Sequence, residues 1–184
     1  MISSAYRAQV DLLLQVLPHV AKEDCFALKG GTAINLFVRD MPRLSVDIDL
    51  TYLPFDDRAA ALKGITAALR RVKRGADAAI SGVKTSLVPQ SDGQEAKLTV
   101  QSSNAQIKVE VNTIMRGHVL PPRMMDIADS VENEFSRFVA MNVISHAELF
   151  GGKICAALDR QHPRDLFDVH NMLSDEGFTD DIRR

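Results

Sequence analysis

Between residues 44 and 53 the sequence alternates with a period of two. Leu44, Val46, Ile48 and Leu50 fall on one side and Ser45, Asp47, Asp49 and Thr51 on the other, the pattern of a strand with one face in a core. Such a strand needs sheet partners at its edges and a helical layer behind its apolar face. Just upstream, the short apolar run at 25–28 reads as a second strand and leads into Gly30-Gly31, where the backbone can turn sharply into a helix over 32–38. Met41-Pro42 closes that helix.

The rest of the chain supplies the missing layers. Ser3-Ser4 can cap a first helix whose apolar positions Val10, Leu13, Leu14 and Leu17 recur every three to four residues, with Pro18 limiting it. Asp56-Asp57 opens another helix, reaching about Arg74, with Ala60, Leu62, Ile65, Leu69 and Val72 on its apolar side. Its basic end, Arg70-Arg71-x-Lys73-Arg74, reads either as a solvated helix terminus or as a polyanion contact. Strands over 83–88 and 96–101, joined by the turn signal Ser91-Asp92-Gly93, predict a hairpin. Residues 106–113 alternate again, with Glu110 on the polar face. A less regular linker, 115–139, precedes helices over 145–160 and 164–173. The expected class is α/β, or α+β: a mixed sheet with flanking helices and a C-terminal helical part. The expected division is a core over 1–140 and a helical segment over 141–184 packed on it.

Composition bears on class only where it excludes. At 184 residues, 46% hydrophobic and 25% charged, the chain can bury a core without disulfide or metal staples, and neither disorder nor a membrane protein is indicated. Cys25 and Cys155 have no pair spacing and sit in apolar runs as small hydrophobes, which points to a reducing, cytoplasmic setting. No leader or spanning segment is evident. The net charge of −2 means that any polyanionic partner must meet a local patch.

Chemistry concentrates on a few residues. Asp47 and Asp49, two positions apart on a strand, point the same way about 6.5–7 Å apart and can share divalent cations. Magnesium in phosphoryl transfer takes one or two carboxylates plus phosphate oxygens. Taken alone, the pair reads more readily as a solvated sheet face. Gly30-Gly31-Thr32 offers backbone N–H groups and a hydroxyl to a phosphate, but it could also be an ordinary capped helix start. None of His118, His146, His162 and His170 has metal-ligand spacing to another, and none is assigned a role.

Together these pieces form an ordered set: Leu28-Lys-Gly30-Gly31-Thr32, Arg43-x-Ser45-x-Asp47-Ile-Asp49, Lys108-Val-Glu110-Val, Glu148 to Lys153 in one helix, and Arg160-x-x-x-Arg164-Asp165-x-x-Asp168. In this order they resemble the AbiEii abortive-infection nucleotidyltransferases, toxins of type IV toxin–antitoxin pairs within the DNA polymerase β-like superfamily. The resemblance implies a nucleotidyltransferase fold. Asp47, Asp49 and Glu110 would hold Mg²⁺ or Mn²⁺. Gly30, Gly31, Thr32, Arg43, Ser45 and Lys153 would contact a nucleoside triphosphate. Glu110 would take the acceptor proton and Glu148 would help shape the pocket, while Arg160 and Arg164 with Asp165 and Asp168 form either an ordinary surface ion-pair network or a brace holding the lysine helix against the catalytic sheet. It implies a tRNA acceptor and a cognate antitoxin as partners. Glu110 stands where an aspartate is frequent. Relatives usually continue with further C-terminal helices, so a minimal member or a fragment is expected. Two other readings stay open: a non-catalytic module that binds a nucleotide or partner through the same cleft, and a transferase acting on a small molecule or a protein.

Overall fold

A computed structural model of the chain describes residues 4–89 and 95–183. The Ser91-Asp92-Gly93 turn, Ser3 and Arg184 lie outside the described residues. Among the described residues, seven strands form one mixed sheet in the order β3-β4-β5-β2-β1-β7-β6. They are β1 (Phe26–Lys29), β2 (Asp47–Tyr52), β3 (Lys84–Pro89), β4 (Glu95–Gln101), β5 (Gln106–Asn112), β6 (Arg123–Asp126) and β7 (Ala140–Val143). β2 runs parallel to β5 and β1 parallel to β7, while β1 and β2 are antiparallel. This is the mixed α/β class expected.

Helices α1 (Ser4–Val20) and α3 (Arg58–Ala79) cover one face. Their apolar stripes, including Val10, Leu13, Leu17, Ile65, Leu69 and Val72, bury against Ile48, Leu50, Leu98, Val100 and Val109; of these, Ile48, Leu50 and Val109 lie on the apolar side of the alternating runs. Close approach at two glycines fixes α3. A Cβ on Gly64 would lie 2.3 Å from the Tyr52 hydroxyl, and one on Gly75 would lie 2.7 Å from His19 Nδ1. On the other face lie α2 (Gly30–Ala33), which runs on as a π-type turn over Ile34–Val38, and the packed pair α5 (His146–Arg160) and α6 (Pro163–Asp175). Two short helices complete the described elements, α4 (Asp129–Phe135) and α7 (Asp180–Arg183). No helix among the described residues is long and apolar enough to cross a membrane.

Several boundaries differ from expectation. β2 begins at Asp47 rather than 44, because its neighbour β1 ends at Lys29, opposite Asp49, where the chain turns into α2. α1 continues past Pro18 to Val20, since a proline in the last turn removes only one helical hydrogen bond. α3 extends five residues beyond Arg74. Its basic run is therefore mid-helix and largely neutralised: Arg70 pairs with Glu95, Arg71 with Glu23 and Lys73 with Asp77. The supposed linker contains β6 and α4, and β7 follows at 140–143, so the sheet continues across the 140/141 boundary. Cys25 is half-buried, its thiol pushed up to about 11 chiefly by burial and then by Glu23, whereas Cys155 is exposed on α5 and is not a core residue.

Candidate active site

The lateral register of the strands assembles the site. Residues paired across neighbouring strands point to the same face. Asp47 is opposite Lys108, Asp49 is opposite Glu110 on one side and Lys29 on the other, and Glu110 is opposite Lys97. Ile48 and Val109, on the alternate positions, are fully buried against α1 and α3. The acids are thus turned away from that core, toward α5 and α6.

There they line an open cleft of about 260 Å³ with Gly31, Arg43, Ser45, Lys108, Lys153, Arg160, His162, Arg164 and Asp165. Gly30 has a left-handed φ of +71°, and a Cβ on it would lie 2.5 Å from Asp49 Oδ2. A Cβ on Gly31 would meet Arg43 Nη2 and Ser45 Oγ at 2.9 Å. Gly30 is favoured both by its left-handed backbone and by this close approach, Gly31 by close approach alone.

Below the cleft is a buried ionic cluster. Lys153 Nζ donates to Asp165 Oδ1 at 2.9 Å and lies 3.3 Å from Asp168 Oδ2. Arg160 Nε reaches Asp165 Oδ2 at 2.6 Å. Arg43 forks onto Asp168 through Nε at 2.8 Å and Nη2, and its Nη1 donates to the Leu44 carbonyl. Asn35, in the π-type turn, donates to Asp168 Oδ1 at 3.3 Å and to the Gly31 carbonyl at 2.8 Å. Lys153, Asp165 and Asp168 are each more than 90% buried, so each charge depends on its partners. Burial pushes the Asp165 carboxyl up, but hydrogen bonds from Arg160 and Lys153 outweigh it and hold the group at about 2.

Asp49 experiences the opposite field. Burial raises its carboxyl above the ordinary range, the charges of Asp47 and Glu110 raise it further, and Lys29 and Lys153 only partly oppose them. Lys29 is itself lowered by burial, against the pull of Asp49. Excess negative charge on three carboxylates facing one cleft is the condition a divalent cation relieves, and oxygen donors suit magnesium or manganese. The donor set fits such an ion, although among the described residues no three acids, histidines or cysteines converge as a preformed metal cluster. Glu110 is instead paired with Lys97.

Not every expected residue reaches the cleft. Thr32 is fully buried, and its hydroxyl donates to the Asp47 carbonyl and contacts Ser45 Oγ at 3.0 Å. It ties α2 to β2 rather than facing a ligand. Glu148 is also elsewhere: it accepts from the backbone N–H groups of Val119 at 2.8 Å and Leu120 at 3.2 Å and from Ser145 Oγ, pinning the loop before β6 to the start of α5. Asp168 lies beneath the lining, and Arg164 lines the cleft with no ion-pair partner among the described residues. Sequence reading gave no role to Lys29, Lys97, Lys108 or His162, whose positions follow from strand register and from the α5–α6 junction.

Several solved structures share the fold, two of them named as nucleotidyltransferases. MenT4, a nucleotidyltransferase toxin from Mycobacterium tuberculosis H37Rv, superposes with a TM-score of 0.65 at 16% identity, over 92% of this chain and 59% of MenT4. A candidate nucleotidyltransferase from H. pylori gives 0.60 at 17% identity, over 95% of this chain and 71% of that one. The chain therefore spans less than two thirds of MenT4's length. No curated protein matches. Over residues 11–184, nearly the whole sequence, the chain matches the nucleotidyl transferase AbiEii toxin family of type IV toxin–antitoxin systems, and it belongs to that family.

Proposed function

We propose that the protein transfers a nucleoside monophosphate from a nucleoside triphosphate to an acceptor hydroxyl, releasing pyrophosphate, and that it acts as the toxin of a toxin–antitoxin pair. One observation carries the reading. Asp47 and Asp49 on β2, Glu110 on β5 and Lys153 on α5 line the same cleft, although up to 106 positions separate them in the chain.

Asp47 and Asp49, with Glu110, would hold Mg²⁺ or Mn²⁺. When bound, the ion offsets phosphate charge and makes an acceptor hydroxyl more acidic. The remaining work belongs to the chain. Gly31 and Ser45 line the cleft, where a backbone N–H and a hydroxyl can meet phosphate oxygens, and Lys153, Arg160 and Arg164 bring positive charge to the cleft, where it stabilises charge developing on those oxygens. The acceptor oxygen forms a bond to the α-phosphorus as the bond to pyrophosphate breaks, and the acceptor proton passes to Glu110. The family's place in type IV toxin–antitoxin systems supports an antitoxin as partner; a tRNA end as acceptor and a cytoplasmic setting are part of the same proposal.

Asp49→Asn tests this. The variant is expected to lose incorporation of labelled nucleotide by at least about a thousandfold and to lose any growth inhibition, while its unfolding midpoint stays near wild type. An Asp49→Asn protein that retained both activities would refute the assignment. Incubating wild type with each labelled triphosphate and separated RNA, protein and small-molecule fractions identifies the acceptor class. Triphosphate binding with no pyrophosphate released in any fraction would favour a binding module.

A further inference from the structure

The acids of the cleft do not stand alone in their row of the sheet. Lys29 is in register with Asp49, Asp49 with Glu110 and Glu110 with Lys97. Four adjacent strands, β1, β2, β5 and β4, therefore present lysine, aspartate, glutamate and lysine side by side on the cleft face. Directly opposed residues have Cβ atoms about 4.5–5.5 Å apart, close enough for each charge to act on the next.

The two lysines differ in freedom. Lys29 is half-buried at the end of β1, hemmed in where the chain turns into α2. The Lys97 side chain is 32% exposed and that of Glu110 is 44% exposed, and Nζ pairs with Glu110 Oε1 at 2.5 Å. An ion pair with this much solvent around it contributes little stability and can open readily. While it is closed, Glu110 is engaged with β4 and does not join Asp47 and Asp49 in one cluster.

We propose that Lys97 is a resident counter-ion for Glu110, and that a divalent cation completes its site by exchanging for the Lys97 ammonium. The inference rests on the metal-assisted reading above. Lys97 is then a positioning residue. It acts through Glu110, keeps the row of acids from repelling itself when no cation is present, and sets how much cation is needed before the third carboxylate is released. No bond to carbon or phosphorus is made or broken; one ion pair is replaced by another.

Lys108 provides the matched control. It lies on the same face, in register with Asp47, and lines the cleft, yet it has no ion-pair partner among the described residues. Removing it deletes the same charge near the site without freeing Glu110.

The test is cation binding by the full chain without nucleotide. Free Mn²⁺ is measured by electron paramagnetic resonance, and the rise in unfolding midpoint on adding Mg²⁺ serves as a second readout. Lys97→Met is expected to bind Mn²⁺ about five- to tenfold more tightly than wild type, Lys97→Arg to stay close to wild type, and Lys108→Met to tighten by no more than about twofold. Unfolding midpoints without cation verify that each variant is folded, and Lys97→Gln repeats the measurement with a polar side chain. Equal affinity in Lys97→Met and wild type overturns the proposal, as does an equal gain in Lys108→Met, which would assign the effect to net charge alone. Asp49→Asn separates the two levels of the argument. If wild type binds no Mn²⁺, or Asp49→Asn binds as tightly as wild type, the metal reading falls and the proposal with it. If binding depends on Asp49 but not on Lys97, only the proposal falls.

Discussion

Gly30 illustrates how much a single position can carry. Its φ of +71° is one that an L residue adopts only under strain, and any Cβ would lie 2.5 Å from Asp49 Oδ2. Gly30→Ala is expected to cost about 1–2 kcal/mol in unfolding free energy through the backbone. It should also displace Asp49, so nucleotide transfer falls further than the stability loss explains; denaturant titration beside initial rates checks both. Asp165 makes a different prediction. Its carboxyl is held at about 2 against an ordinary 3.8. The folded-state value is the lower one, so on acidification the unfolded chain takes up the proton first. The group's contribution, on the order of 2 kcal/mol, is complete above about pH 4 and is lost as pH falls through about 2. Unfolding midpoints measured from pH 5 to pH 2 should fall more steeply in wild type than in Asp165→Asn.

At the level of elements, alternation and glycine punctuation read correctly wherever one face of a segment is buried. β4 and β5 carry a clean two-residue burial pattern, and β2 does so over Asp47 to Leu50, where a run of three buried residues ends it; the expected positions of Asp49 and Glu110 followed from it. β6 was illegible because it has no buried residue to set a period, and α4 because only Val131 of its seven residues is fully buried, with Phe135 partly so. Lys29 and Lys97 were missed for another reason: alternation gives the face of a residue but not its cross-strand neighbour, which depends on register. Glu148 shows a motif residue whose work is local. It joins the Ser145 cap of α5 to the backbone at 119–120. Glu148→Ala is expected to lower stability by about 1 kcal/mol while triphosphate affinity, measured by calorimetry, is unchanged.

The whole molecule is joined by contacts far apart in sequence. β7 pairs with β1 through Val143 and Leu28, Phe150 and Met172 enter the main core, and Asp168 on α6 receives Arg43 from 125 residues away. A polypeptide of residues 1–144, lacking α5 and α6, would leave part of that core open and Arg43 without its acid. It is expected to show no cooperative unfolding transition by near-ultraviolet circular dichroism, and the appearance of a sharp transition would make the C-terminal helices an appendage. The paired blocks of the sequence suggested that these helices pack behind the acids; what it could not show is that Asp165 and Asp168 neutralise Lys153 and Arg43 jointly.

The Arg43–Asp168 pair also has a consequence in time. Ribosomes deliver the glycine turn and Asp47 early and α6 late, so a growing chain holds its acids long before it holds the helix that closes the ionic cluster beneath them. Until α6 has emerged and docked, the cleft lacks its far wall. Completion of the cleft therefore waits on the 125 positions that separate Arg43 from Asp168.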